Sequence, residues 1–134
     1  MIGRSLPAGT SHLVLMATVL MFGGRALAAT ACDATAGQSV FDAKCAICHS
    51  ITAAGGAIVG PPLFNVVGRR PASIPGFAYS EPMRARKDTW TVAVLDWFLS
   101  DPPNRVPGTY MAFLGIKRDS ARADLICYLQ TAHE

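Results

Sequence analysis

The 134-residue chain is short of charge, of histidine and of long apolar runs, and each shortage removes a class of function. Only 16% of its residues are charged against 51% hydrophobic, the balance of a folding chain rather than a disordered one. Its length suits one small domain and not two. The apolar stretch Leu13 to Phe22 is ten residues long, about half of the roughly 20 that a membrane-spanning helix needs. With Arg4 ahead of it and Ala26-Leu27-Ala28 behind, it has the layout of a secretory signal peptide. The expectation is therefore residues 1–28 as a cleaved signal, residues 29–134 as the working domain, export to the periplasm, and no stable membrane insertion afterwards. Arg4 and Arg25 leave with the signal, so 12 Lys+Arg become 10 against 9 Asp+Glu, a net charge of +1. That is too little positive charge to indicate a nucleic-acid binder.

Also missing are internal repeats, low-complexity tracts and any convincing pair of strands, which leaves an all-α chain. A first helix is expected from Asp33 to about Cys45, with Asp33 at its start and Ala36, Val40 and Phe41 at helical spacing. A second covers about Ser80 to Arg86. A third runs from Thr91 to Ser100 and stops at Asp101-Pro102-Pro103. The last starts near Asp119 or Ser120 and buries Leu125, Ile126 and Leu129. Between Ile51 and Pro75 the composition turns to glycine and proline, a loop of about 25 residues, which is unusual in a compact domain unless it serves a function.

What the chain does have is Cys45-Ala46-Ile47-Cys48-His49. A C-x-x-C-H run is the attachment signature of a c-type haem: the thiols add to the vinyl groups as thioethers, and the adjacent histidine ligates the iron from one face. A redox dithiol would call for a strand–helix unit, and a zinc site for a second ligand pair at suitable spacing; neither is present. A sixth iron ligand comes from His, Met, Cys or Tyr. Beyond the signal the only histidines are His49 and the penultimate His133, and the only methionines are Met83 and Met111. The choice is Met83, Met111 or an open position. Local chemistry favours Met111, because the Pro107-Gly108 turn just before it fixes the backbone. Cys32 and Cys127 remain over, as a disulfide joining the ends of the domain or as two thiols that never meet. Lipid attachment at Cys32 is disfavoured, since Ala29-Thr30-Ala31 lacks the usual leucine.

From Gly37 to Leu129 the chain resembles a class I cytochrome c of the mitochondrial or small bacterial periplasmic kind. The resemblance rests on C-x-x-C-H together with Gly60-Pro61-Pro62-Leu63, Val67-Gly68-Arg69, Pro75-Gly76-Phe77-Ala78-Tyr79, Trp90 and Val106-Pro107-Gly108-Thr109-Tyr110-Met111-Ala112-Phe113, in that order. It implies three main short helices, minor helices, and long loops wrapped around one covalently bound haem c. It implies Cys45 and Cys48 as the covalent attachments, and His49 and Met111 as the axial ligands. The Pro61 carbonyl would accept a hydrogen bond from the histidine ring, and Arg69, Tyr79, Trp90 and Thr109 would hold or screen the propionates. Gly37 and Phe41 would cross Leu125 and Tyr128, and Phe113 would mark the exposed haem edge where redox partners dock.

Three departures from the family pattern stand out. Phe98 replaces a tyrosine near the methionine sulfur, and Met83 replaces an asparagine beside it, both making the distal side more apolar. Pro103, Asn104 and Tyr110 stand where mitochondrial forms carry lysines. The resulting expectation is a monomeric, non-enzymatic, soluble one-electron carrier in a respiratory chain. It would run between a dehydrogenase or bc-type complex and an oxidase or photosynthetic centre. The competing reading is a haem protein with a labile methionine, acting as a peroxidase or gas sensor.

Overall fold

The computed structural model describes Met1, Gly3 and residues 32–133; the expected signal peptide and its cleavage site lie otherwise outside the described residues. Five helices follow one another: α1 (Ala34–Lys44), α2 (Glu81–Ala85), α3 (Val92–Ser100), α4 (Pro102–Arg105) and α5 (Asp119–Thr131). Among the described residues the only β pairing is an isolated bridge between His49 and Ala57. No helix described is long and apolar enough to cross a membrane.

Helix α1 begins where Asp33 caps it, its carboxylate accepting from the N–H groups of Thr35 (2.8 Å) and Ala36 (3.1 Å). Lys44 in the last turn complements the negative end of the helix dipole. α1 lies against α5, the most extensive helix contact in the fold. Gly37 permits it: a Cβ there would sit 1.9 Å from the Asp124 carbonyl oxygen and 2.9 Å from the Tyr128 Cβ. Phe41 packs its ring 5.6 Å from that of Tyr128. Beneath the crossing Leu125, Ile126 and Leu129 are buried with Leu95, Phe98 and Leu99 of α3.

Thr91 starts α3, its hydroxyl accepting from the Val94 N–H at 3.2 Å. The two prolines after Asp101 end α3 as expected, but they also open the four-residue α4. Proline at the first positions of a helix loses no bond that would otherwise form, and its fixed φ suits the turn.

Arg122 of α5 is buried, and its guanidinium gathers three segments. Nε donates to Asp96 on α3 (2.7 Å), Nη2 to Asp119 at the start of α5 (2.8 Å), and Nη1 to the carbonyls of Ile116 (2.8 Å) and Lys117 (3.2 Å). Such a group is tolerable only because nearly every donor is matched.

Cys32 and Cys127 are joined as a disulfide, with Cα atoms 5.9 Å apart. The beginning of α1 is thereby fastened to α5. A backbone bond from Asp33 N–H to the Asp124 carboxylate (2.9 Å) reinforces the same corner.

The rest is loop, held by backbone groups and a few side chains rather than by regular structure. Gly60 N–H donates to Cys48 O (2.8 Å) and Leu63 N–H to Ser50 O (2.8 Å), folding the glycine-rich segment back onto the cysteine motif. Gly68 N–H donates to Trp90 O and Trp90 N–H to Arg69 O, both at 2.9 Å, tying the loop to the entry of α3. At the far end Asn65 N–H donates to Ala132 O (2.7 Å), just beyond α5.

Candidate haem cavity

The helices and loops enclose an apolar cavity of about 360 Å³, within the size range of cofactor sites. Every site residue expected from the sequence lines it: Cys45, Cys48, His49, Pro61, Arg69, Tyr79, Trp90, Thr109, Met111 and Phe113. Much of the remaining wall is hydrocarbon, including Leu63, Val66, Leu95, Phe98, Leu99, Leu125 and Leu129. The regular core and the cavity wall are thus partly the same side chains.

The cysteine motif sits just past the end of α1. Both thiols are half-buried and unpaired with each other. Burial pushes the Cys45 thiol up to about 11, although Lys44 offsets part of the effect and Cys48 adds to it. His49 carries the information that fixes its own chemistry. Its Nδ1 lies 2.7 Å from the Pro61 carbonyl, and a carbonyl only accepts, so Nδ1 bears the hydrogen. That leaves Nε2 with its lone pair. Burial lowers the ring's pKa, with the Pro61 carbonyl acting in the opposite sense, so the neutral, ligating form is favoured. Gly60 makes the arrangement possible, since a Cβ there would fall 2.3 Å from the His49 Cε1.

Met111, also on the cavity lining, follows a turn closed by Thr109 N–H to Val106 O (3.0 Å), and the Thr109 hydroxyl accepts from Met111 N–H (3.3 Å). Met83, on α2, also lines the cavity and is buried beside Phe98 in the core cluster. Phe98 and Met83, two of the departures from the family pattern, thus both line the cavity.

The polar collar is concentrated on one side. Arg69 donates to the carbonyls of Phe64 (2.6 Å) and Pro62 (3.0 Å), which uses two of its five N–H groups. Burial lowers its pKa, and the neighbouring Tyr79 works against that. Tyr79 accepts from Ile74 N–H at 3.3 Å, so its own hydroxyl hydrogen is still to be donated; burial raises its pKa. Trp90 is buried, its ring 5.0 Å from that of Phe98.

Sequence reasoning missed Ser80. Its Oγ is buried in the cavity wall without a hydrogen-bond partner. Such a donor is costly unless something occupies the cavity and accepts from it. Its position next to Tyr79 was the available signal. Arg86, also missed, stacks its guanidinium on Trp90 at 5.0 Å from the ring centroid and pairs with Asp88. At the mouth Phe113 is half-buried rather than prominent. Exposed apolar side chains include Ile47 (80% exposed), Leu114 (80%), Tyr110 (77%) and Val59 (71%); Ile47, Tyr110 and Val59 also line the cavity.

The residues fit the group that the motif implies. Two thiols, a histidine of fixed tautomer, a methionine, an apolar slot and the unpartnered Ser80 hydroxyl match a flat apolar cofactor with two carboxylates. Short helices and long loops around such a slot, with C-x-x-C-H on its wall, define a class I c-type haem protein. Comparison with known proteins agrees. The cytochrome c family model matches residues 34–133. A cytochrome c2 from Rhodomicrobium vannielii is 40% identical over 121 residues, covering 90% of this chain and 94% of that protein. A cytochrome c from Tetrahymena pyriformis is 44% identical over 99 residues, covering 74% and 88%. Among solved structures, cytochrome cH from Methylobacterium extorquens matches with a TM-score of 0.69 at 38% identity, covering 74% of this chain and 98% of that one. The chain belongs to the cytochrome c family.

Proposed function

We propose that this protein is a soluble one-electron carrier of the periplasm, holding one covalent haem c between His49 and Met111. The observation that carries the reading is the convergence on one apolar cavity of the C-x-x-C-H motif, the Pro61-oriented imidazole and the Met111 loop. The bound haem supplies a ferrous/ferric couple. Cys45 and Cys48 would hold it by thioether bonds. The Pro61 carbonyl keeps the His49 ring in one orientation and makes Nε2 a better donor to iron. Thr109 steadies the Met111 backbone. Ser80, Tyr79, Arg69 and Trp90 would donate to the propionates, whose charge is otherwise costly away from water. The hydrocarbon wall excludes water, and its close packing around the group would leave little to rearrange when an electron arrives or leaves.

Residues 1–28 serve as the export signal, and the mature domain works as a monomer. Donor and acceptor dock at the cavity mouth around Phe113, Tyr110, Ile47 and Leu114. They are redox proteins of the dehydrogenase, bc-complex, oxidase or photosynthetic-centre kind. The rim is apolar and lysine-poor, so their association is expected to depend less on ionic strength than a charge-steered one. The apolar distal wall of Phe98 and Met83 disfavours the ferric charge, and a midpoint potential at or above the usual His/Met range is expected. A distinctly low value in a potentiometric titration would sink that expectation. The deciding experiment for the function is the ferric optical spectrum at neutral pH. The long-wavelength band of methionine-ligated haem, lost in Met111→Ala and kept in Met83→Leu, is expected. High-spin ferric iron in the unaltered protein would favour the peroxidase or gas-sensor reading instead.

A further inference from the structure

Behind the polar collar, on the outside of the loop that carries Arg69, lies a second cleft of about 410 Å³. Its walls are Arg70, Pro71, Ala72, Ser73, Arg84 and Arg86, with no acidic side chain among them. Glu81 and Asp88 pair with Arg84 and Arg86 beside the cleft, so Arg70 carries its uncompensated charge, which an anion would offset. Two of the three arginines retain unused donors. Arg70 makes no hydrogen bond or ion pair among the described residues, and the Nε of Arg84 donates to no partner among them. Arg84 is partly committed, to the Tyr79 carbonyl and to Glu81 at 2.7 Å, and Arg86 pairs through Nη2 with Asp88. The remaining N–H groups are forked and planar, the geometry that matches tetrahedral oxyanions and phosphate esters better than a point cation would.

We propose that this cleft binds a small phosphate-bearing anion. Its size exceeds that of a single halide and suits a di- or polyphosphate group, for which Ser73 at the rim offers a neutral hydroxyl. The cleft is also electrically joined to the cavity. Arg70 and Ala72 line both spaces, and the Arg86 guanidinium lies 5.0 Å from the centroid of Trp90, a cavity-wall residue, with Trp97 on its other side at 5.2 Å. An anion here offsets positive charge beside the cavity and so favours the ferric state. By linkage the ferric protein then binds it more tightly than the ferrous one. This second, coupled effect rests on the haem reading; binding itself does not.

The test is calorimetric titration of the haem-loaded protein with pyrophosphate at low ionic strength, against sodium chloride of matched ionic strength. Saturable one-to-one binding is expected, weakened at least tenfold in Arg70→Gln and further in Arg70→Gln/Arg84→Gln. Lys117→Gln, the same charge change outside the cleft, is expected to bind as the unaltered protein does. A parallel arm uses phosphatidylglycerol vesicles. Arg70-dependent binding there, but not to pyrophosphate, assigns the same phosphate chemistry to a lipid headgroup. No saturable binding in either arm, or equal weakening by Lys117→Gln, overturns the proposal. The redox readout is separate: pyrophosphate lowers the midpoint potential, by about 59 mV for each tenfold preference for the ferric form. Binding without any such shift would remove the coupling while leaving the site. An abnormal optical spectrum would instead count against the haem reading.

Discussion

The two sides of this molecule are built on different principles. Where α1, α3 and α5 meet, each helix has its own start signal and buries an apolar face, and Gly37 lets backbones touch. On the other side, from Cys45 to Ser80 and from Val106 to Ile116, there is almost no repeating structure apart from single turns and isolated bonds. The helical side satisfies itself. The loop side faces inward on a cavity and leaves Ser80 Oγ unsatisfied, so its order depends on what fills that cavity. A chain with few regular elements can therefore hold one defined shape when a cofactor acts as part of its core.

The widest test of that contrast is to withhold the cofactor. In Cys45→Ser/Cys48→Ser prepared without haem, amides of residues 46–80 are expected to exchange at close to solvent rates. Part of the protection in α1 and α5 is expected to remain. Hydrogen exchange read by mass spectrometry checks this, and equal loss on both sides would erase the distinction. Next in size is the cross-link. Cys32→Ser/Cys127→Ser opens a loop of sequence separation 95, for which the chain-entropy account gives a loss of about 4–5 kcal/mol. Denaturant unfolding of the haem-loaded protein measures it. A loss under about 1 kcal/mol would mean that the helix crossing alone holds the ends.

Gly37→Ala comes third. The added methyl meets backbone rather than a movable side chain, so a cost of about 3 kcal/mol is expected, at the upper end for overpacking. The optical spectrum of the folded fraction should stay normal, because the strain falls on the helical side. The smallest effect concerns acid. Asp101, at the joint of α3 and α4, has its pKa held below the ordinary value, chiefly by the hydrogen bond from Asn104, with Lys117 and Arg105 adding to it against the opposing effect of desolvation. A carboxylate depressed in the folded state contributes stability above its unfolded pKa, and that contribution is lost as pH falls through the folded one. Asp101→Asn should therefore flatten the stability profile slightly below about pH 4 and leave it unchanged near neutrality. Thermal melts across that range check the sign.

How legible these two sides were in the sequence also differs. The helical side was read closely, because Asp33, Thr91 and the spacing of Leu125, Ile126 and Leu129 act locally and carry their own signal. The candidate cofactor-binding residues came from a short motif and from family resemblance, and all of them line one cavity. What escaped were features that depend on remote partners. The reach of Arg122 to Asp96 crosses from one helix to another, and no spacing rule encodes it. Arg69 was assigned to propionates, whereas its loop carbonyls at Phe64 and Pro62 are a second use that only the folded path brings near. Pro102 and Pro103 read as a stop and prove to be a start as well. The pairing of Cys32 with Cys127 stayed open because their separation in space is set by the helix crossing, not by the residues around them.

That cross-link has a mechanical consequence. A tension applied to the chain on either side of the Cys32–Cys127 pair runs through the sulfur bridge and leaves the intervening loop slack. All the residues assigned to the haem lie inside that slack segment. A threading machine pulling on one end would have to draw a doubled strand through its pore before any of them felt the load, and a reductant would turn this shielded loop back into an ordinary tether.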